Sequence, residues 1–175
     1  MKANANIKKL VTAAIFAALT CVATMIINIP IPATNGYINV GDGVVILSAW
    51  LLGGIYGVAA AGIGSAMSDI LLGYTTYAPG TFVIKALMAL VAYAVAKALS
   101  SRAHGFIGRA LSAVLAEAVM VLGYFVYEAT LLGYGIGAVP GIFSNLIQAA
   151  GGVIISVAVM EIIRHNKFIE RNSAV

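Results

Sequence analysis

Charged residues are scarce in this sequence. Lys and Arg number 10, Asp and Glu number 6, and together they make up 9% of the 175 residues. Soluble domains carry about 25% charged residues, because a surface that faces water needs them. With 62% hydrophobic residues and a mean hydropathy of +1.02, the chain is suited to a bilayer. The composition therefore argues against a soluble enzyme and against a nucleic-acid-binding domain with a basic face.

Motifs that bind nucleotides or metals are also missing. The sequence contains no G-x-x-x-x-G-K-[ST], no H-E-x-x-H and no C-x-x-C. Its single cysteine, Cys21, lies inside an apolar run and cannot form a disulfide framework. His104 and His165 lie far from each other and from the polar residues described below. We therefore predict no metal, no cofactor, no catalytic residues and no ATP site in this chain.

Long apolar runs dominate what is present. A helix needs roughly 20 mostly apolar residues to cross a bilayer. One run is too long for a single helix, and Gly53-Gly54 near its middle permits a tight turn between two short helices. The five runs are Ile7–Ile29, Val44–Leu72, Thr81–Leu99, Ile107–Leu132 and Gly141–Ile163.

The positive charges predict the orientation. They cluster before the first run, between the third and the fourth, and after the last, at Lys2, Lys8, Lys9, Lys97, Arg102, Arg109, Arg164, Lys167 and Arg171. Cytoplasmic segments of membrane proteins are enriched in Lys and Arg, so all three clusters are predicted inside. An even number of crossings must then separate them, which requires two helices in Val44–Leu72. The sequence predicts an all-α, multi-pass protein of the prokaryotic plasma membrane. We expect one domain over 1–175, six transmembrane helices and cytoplasmic N- and C-termini.

Four charged residues fall within the apolar runs more than two residues from either end: Asp69, Lys85, Glu117 and Glu128. Charged groups at membrane depth usually face the interior of a bundle and are candidates for function. On a helical wheel of about 100° per residue, Glu117, Tyr124 and Glu128 share one face. We interpret Lys85 and Glu128 as an ion pair, because pairing lowers the cost of both charges.

The predicted outward loops add polar and aromatic residues, and no strand pattern is evident in them. Asp42, between Gly41 and Gly43, is interpreted as an N-cap of the second helix. Asn145 and Gln148 lie three apart near the outer end of the last helix. Together these residues predict an outward-facing pocket for a small planar polar molecule. Its candidate substrate-binding residues are Tyr37, Asn39, Asp69, Tyr77, Lys85, Tyr124, Tyr127, Glu128, Asn145 and Gln148.

The first helix carries a stripe of small residues: Ala13, Ala14, Ala17 and Ala18. Alanines four apart make a smooth face on which another helix can approach closely. On these grounds alone, the stripe packs either inside this bundle or against a partner protein.

Several segments, taken in order, resemble a known family. After the stripe come Gly36–Asp42, Ser68–Tyr74, Pro79 with Lys85, Gly123–Glu128 and Pro140–Asn145. In their order and spacing they resemble S components, the substrate-binding subunits of energy-coupling-factor vitamin importers. The resemblance is to the group that includes riboflavin, hydroxymethylpyrimidine and pyridoxine binders, and it covers nearly the whole chain.

The resemblance implies a function and partners. Six helices would bind a vitamin near the extracellular side, and the first outer loop would help to close the site. The alanine stripe would dock onto a transmembrane coupling protein driven by two ATPases.

The substrate is less well defined by the resemblance. Riboflavin binders tend to place a Lys shortly after the Asn of the sixth helix, whereas Gln148 follows Asn145 here. This favours a pyridoxine-like or hydroxymethylpyrimidine-like ligand, with riboflavin as the alternative. An accessory subunit of a membrane enzyme and a small channel are alternatives of another class.

Overall fold

Helices account for most of the chain. The computed structural model of the protein describes residues 2–31, 34–99 and 105–166. Arg102, His104, Lys167 and Arg171, which entered the predictions above, lie outside these ranges. The described ranges form six helices, which confirms the predicted all-α fold. They are α1 (Lys2–Ile26), α2 (Gly41–Leu52), α3 (Gly54–Leu72), α4 (Ala78–Leu99), α5 (Gly105–Val126) and α6 (Val139–His165).

The short helix α2 lies at the centre of the bundle. The helices α1, α3, α4, α5 and α6 follow one another as neighbours, and α2 packs against α1, α3, α4 and α6. A helix that is apolar all round belongs inside a protein and not at its surface. The core accordingly joins α2 to the longer helices through Val45, Ile46, Ala49, Met88, Met120 and Ala149.

The longer helices face the lipid. Five helices in the described ranges are long and apolar enough to cross a membrane. Their outward faces carry large apolar side chains, such as Leu19, Leu87 and Leu115. Helix α2 has 12 residues and a length of about 18 Å, less than the roughly 30 Å of a bilayer's hydrocarbon core. It therefore crosses only part of that thickness, shielded by its neighbours.

A glycine turn joins α2 to α3 and confirms the predicted break at Gly53-Gly54. Gly53 has a φ of 64°, in the left-handed region that glycine adopts without strain. Its N–H donates a hydrogen bond of 3.1 Å to the carbonyl of Ala49. At Gly57 a methyl group would lie 2.7 Å from the carbonyl oxygen of Ser48. The missing side chain lets α3 fold back closely against α2.

The loop between α1 and α2 contains a β-hairpin, where no strand was predicted. Strand β1 (Asn28–Ile31) pairs antiparallel with β2 (Gly36–Asn39). In the turn Asn35 has a φ of 53°, which Asn tolerates better than most residues. The strands have four residues each, too few for a period of two to stand out in the sequence.

The basic residues gather at the end of the bundle opposite the hairpin. Lys8 and Lys9 lie in the first turns of α1, Lys97 near the end of α4, Arg109 near the start of α5 and Arg164 at the end of α6. The fold thus brings together charges that the orientation argument grouped by sequence. That this end faces the cytoplasm stays a prediction from the excess of positive charge.

The contact of α1 with α3 provides a test of this packing. A methyl group at Gly64 would clash with the carbonyl oxygen of Ala17 and lie 2.8 Å from Cβ of Thr20. We expect Gly64→Ala to lower the free energy of unfolding by about 1–3 kcal/mol, the usual cost of overpacking. Thermal unfolding in detergent would measure it.

Gly151→Ala is the matched control, because no atom lies within 4 Å of a methyl group at that helical position. Equal melting temperatures for Gly64→Ala and Gly151→Ala would contradict the close approach of α1 and α3.

Candidate functional site

A small polar cavity lies beneath the hairpin. It is bounded by β2, the end of α3, the start of α4, the end of α5 and the first turns of α6. Its volume is about 20 Å³, room for roughly one water molecule. We call it the hairpin cavity; its lining is Ile31, Gly36, Tyr37, Asn39, Asp69, Tyr77, Thr81, Tyr124, Glu128, Asn145 and Gln148.

A buried ion pair supports the floor of the hairpin cavity. The ammonium of Lys85 in α4 contacts Oδ1 of Asp42 in α2, and both side chains are at most 2% exposed. Neither predicted role is correct: Lys85 does not pair with Glu128, and Asp42 makes no capping hydrogen bond for α2. Because α2 is central and short, its first turn lies inside the bundle, at the same depth in the membrane as Lys85. Asp42 can therefore contact Lys85.

The ion pair extends into the hairpin through an amide. Nε2 of Gln148 donates to Oδ2 of Asp42 at 2.6 Å, so the Gln148 carbonyl must face the other way. That Oε1 accepts from the backbone N–H of Asn39 at 2.8 Å and from its Nδ2 at 3.3 Å. Oδ1 of Asn39 in turn accepts from the N–H of Gly41 at 2.9 Å. A continuous polar chain thus connects α4, α2, α6 and β2.

Two tyrosines reach two carboxyl groups in the cavity wall. The hydroxyl of Tyr37 donates to Oδ1 of Asp69 at 2.5 Å, and that of Tyr77 contacts Oε1 of Glu128 at 3.2 Å and the carbonyl of Thr34 at 2.5 Å. Burial, and then the nearby carboxylates of Asp69 and Glu128 respectively, raise the pKa of both phenols. The two phenols therefore stay protonated and act as donors near neutral pH.

The other oxygen of each carboxyl group makes no geometrically sound hydrogen bond with the described residues, although the hydroxyls of Thr81 and Thr34 lie beside Asp69 and Glu128 respectively. Oδ2 of Asp69 and Oε2 of Glu128 are buried and accept no hydrogen bond from the described residues. Asn145, 5% exposed, adds an amide that can both donate and accept. Tyr124 adds an aromatic ring whose hydroxyl is 3.0 Å from Oγ1 of Thr81. The cavity thus offers several acceptors, one amide and aromatic walls.

A π-helical turn delivers Glu128. Residues Tyr127–Leu131 continue α5 with a wider turn, closed by a 3.0 Å bond from the N–H of Leu132 to the carbonyl of Tyr127. Such turns are frequent at functional sites because they redirect side chains. The regular helical wheel therefore applies only as far as Val126, although it correctly grouped Tyr124 with Glu128.

Eight of the ten predicted site residues line the hairpin cavity; the exceptions are Lys85 and Tyr127. Lys85 lies below the wall, 5.4 Å from the ring centroid of Tyr124. Tyr127 points away: its ring packs on Gly80 and its hydroxyl donates to the carbonyl of Thr76 at 2.6 Å. The prediction missed Ile31, Gly36 and Thr81 in the lining and Asp42 beneath it. Of these, only the charge of Asp42 was a signal that could have been used.

Comparison with known proteins gives the family. The profile described as "ECF-type riboflavin transporter, S component" matches residues 4–165. The chain belongs to the S-component family of energy-coupling-factor transporters. It is therefore a transport subunit and not an enzyme, as the resemblance implied.

Two relatives and one solved structure are similar to this S component over most of its length. An uncharacterized protein in the gap 3′ region of Pyrococcus woesei is 38% identical over 134 residues, 77% of this chain and 86% of that protein. The thiamine precursor transporter HmpT of Lactococcus lactis subsp. cremoris is 27% identical over 158 residues, 87% and 86% of the two chains. A solved S component of a bacterial ECF transporter shares the fold, with a TM-score of 0.68, 24% identity and coverage of 91% and 95%.

The alanine stripe of this S component has two faces. Ala13 is buried in the bundle, and Ala17 is half-buried with its carbonyl against Gly64. Ala14 and Ala18 are exposed and face outwards. Ala13 and Ala17 therefore pack inside the bundle, while docking of a partner on Ala14 and Ala18 stays a prediction.

Glu117 lies deeper than the hairpin cavity and does not line it. It is 2% exposed, and its carboxyl packs against Gly152 on the side of Asp42. Neither of its oxygens accepts a hydrogen bond from a described residue. Glu117 thus contacts neighbouring helices, and of the two residues whose role was open, only Asp69 reaches the cavity.

The Lys85–Asp42 pair can be tested with a double-mutant cycle. Removing one partner of a buried ion pair typically costs about 3–5 kcal/mol, because the remaining charge stays buried. We expect Lys85→Met and Asp42→Asn each to lower the melting temperature in detergent. The Asp42→Asn/Lys85→Met double variant should recover part of the loss.

The comparison variant is Glu128→Gln/Lys85→Met, in which Asp42 loses its cation and keeps its hydrogen bond from Gln148. If this variant recovered the melting temperature and Asp42→Asn/Lys85→Met did not, Lys85 would pair with Glu128, as the sequence predicted, and not with Asp42.

Proposed function

We propose that this S component binds a small heteroaromatic vitamin or precursor that carries amino and hydroxyl groups. The best candidates are hydroxymethylpyrimidine-like and pyridoxine-like compounds. The protein would capture the compound at the outer face of a prokaryotic plasma membrane. It would deliver the compound inward together with a transmembrane coupling protein and two ATPase subunits.

The free carboxyl oxygens in the cavity wall carry this proposal. Oδ2 of Asp69 and Oε2 of Glu128 are buried acceptors, and an unsatisfied buried acceptor costs about 1–3 kcal/mol. A ligand with N–H and O–H donors would remove that cost at both positions. Amino and hydroxymethyl groups on a heteroaromatic ring supply such donors.

The charge of the lining narrows the ligand class further. Asp69 and Glu128 are acidic, and the described residues that line the cavity include no Lys or Arg. Lys85 lies below the wall and is already paired with Asp42. A phosphorylated vitamin would meet two carboxyl groups and no cation. We therefore favour the unphosphorylated compound, neutral or protonated on a ring nitrogen.

The cavity must widen to hold such a ligand. A volume of about 20 Å³ is far below the several hundred Å³ of typical small-molecule sites. The hairpin is the covering element, and it is bound to α6 through Asn39 and Gln148. Movement of β2 away from Gln148 is the simplest way to admit a ligand, and the bonds at Asn39 would re-form over it.

The name of one relative and the description of the family both bear on the substrate class. The name of the lactococcal relative, a thiamine precursor transporter, agrees with a pyrimidine ligand, since hydroxymethylpyrimidine is a thiamine precursor. The family description names riboflavin, which remains the second candidate. Riboflavin is larger and would require a greater displacement of the hairpin.

Ligand identity would be tested by thermal-shift titration of the purified protein with hydroxymethylpyrimidine, pyridoxine, thiamine, riboflavin and pyridoxal phosphate. We expect the first or second compound to stabilise the protein and pyridoxal phosphate to have no effect. Tight riboflavin binding without binding of the smaller rings would favour the second candidate. No stabilisation by any of them would point to another substrate.

Glu128→Gln tests the role of the carboxyl group in binding. A hydrogen bond to a charged group contributes about 1.5–3 kcal/mol, so we expect affinity to fall roughly 10- to 100-fold. Isothermal titration calorimetry would measure the change. Glu161→Gln is the matched control, a glutamate of α6 at the opposite end of the bundle. An equal loss in both variants would argue against direct contact between Glu128 and the ligand.

The exposed pair Ala14 and Ala18 is our proposed docking face for the coupling protein. We expect Ala14→Leu/Ala18→Leu to abolish co-purification with that protein while ligand affinity is unchanged, because leucines would hold the helices apart. Ala94→Leu, at an exposed position on α4, is the control. Normal assembly of the double variant would place the docking face elsewhere.

A further inference from the structure

A second cavity opens at the end of the bundle opposite the hairpin. Its volume is about 420 Å³, and it lies between the ends of α2, α4 and α6 and the start of α5. Three basic and two aromatic side chains dominate its wall: Lys97, Arg109, Arg164, Trp50 and Tyr93. We call it the basic cavity. Nothing in the proposed vitamin binding uses it.

Two guanidinium groups converge on one side of the basic cavity. A methyl group at Gly105 would lie 2.9 Å from Nη1 of Arg164 and 3.0 Å from Nη1 of Arg109. Both nitrogens therefore border the same small space. Two guanidinium groups that border the same space repel each other unless an anion lies between or beside them.

In the described part of the chain, a single carboxylate pairs with either guanidinium group. Nη2 of Arg109 is paired with Glu161, but its Nε is buried and donates to no described residue. Arg164 is exposed, and no hydrogen bond or ion pair joins it to the described residues. Lys97 lies with its ammonium 5.5 Å from the ring centroid of Tyr93. Among the described residues, the two guanidinium groups thus have one carboxylate between them, that of Glu161.

We infer that the basic cavity binds the phosphate of an anionic membrane phospholipid. Guanidinium groups bind phosphate oxygens with paired, charge-assisted hydrogen bonds, and no described residue accepts from the donors of Arg164. Basic pockets between transmembrane helices are a known setting for such headgroups. Trp50 and Tyr93 provide the amphipathic rings that are enriched at the membrane–water interface.

The surroundings favour a lipid over free phosphate. The same helix ends carry exposed apolar side chains, namely Phe106 and Ile107 at the start of α5 and Ile162 at the end of α6. These residues would contact acyl chains while the headgroup reaches Arg109 and Arg164. Inorganic phosphate would bind the cationic side chains but would make no contact with these apolar ones.

The full-length protein in detergent, titrated with phosphatidylglycerol and with phosphatidylcholine of the same acyl chains, tests this inference. Native mass spectrometry would give the bound fraction, and thermal unfolding would give the stabilisation. We expect selective binding of phosphatidylglycerol. Arg164→Gln should weaken it roughly fivefold, since one cation near an anionic headgroup contributes about that factor.

Two further variants separate charge from geometry. Arg164→Lys keeps the charge but loses the planar fork, so it should bind more weakly than the wild type and more tightly than Arg164→Gln. Lys8→Gln removes an exposed cation that lies outside the basic cavity and should bind like the wild type.

Three outcomes would overturn the inference. The first is equal binding of the two lipids, and the second is an equal loss in Lys8→Gln and Arg164→Gln. The third is stabilisation by potassium phosphate, measured against potassium chloride at equal ionic strength, that matches phosphatidylglycerol and disappears in Arg164→Gln. That result would assign the basic cavity to a free anion.

Discussion

The ion pair between Lys85 and Asp42 is the interaction on which the site depends. Two charges at membrane depth persist only if they neutralise each other and their remaining polar atoms are bonded. Asp42 meets this condition by accepting from Lys85 and from Gln148 at once. The orientation of the Gln148 amide, and with it the attachment of the hairpin at Asn39, follows from that pair. The position of the hairpin is thus fixed by Lys85 and Asp42, two charged residues that do not line the hairpin cavity.

The short central helix makes this arrangement possible. Because α2 begins at Gly41, directly after the hairpin, Asp42 lies inside the bundle and not at its surface. The longer helices extend past the start of α2 and leave the space that the hairpin covers. An S component needs such a space open to one side of the membrane, and the bundle obtains it by shortening one helix without breaking the lipid-facing surface of the others.

The two ends of the bundle differ in charge and therefore in chemistry. Near the hairpin, Asp69 and Glu128 would present carboxyl oxygens to a ligand with donor groups. At the other end, Arg109 and Arg164 would present donors to an anion. Family membership removes the enzyme alternative and gives the transport role. The exposed alanines Ala14 and Ala18 lie on α1, away from both cavities, so substrate binding, lipid contact and docking would use separate surfaces.

The sequence by itself determined the class, the helix count and most of the cavity lining. Apolar runs, the glycines at Gly53-Gly54 and the rarity of charge inside a membrane act locally, so each could be read without a fold. Tertiary structure alone decided which charges meet. The sequence predicted a pair of Lys85 with Glu128, whereas the depth of α2 brings Asp42 to Lys85. The tertiary structure also decided that Tyr127 points away from the cavity, onto Gly80 and the carbonyl of Thr76. Pairing partners and side-chain directions depend on how helices of unequal length pack together. The periodicity of a single helix does not contain that information.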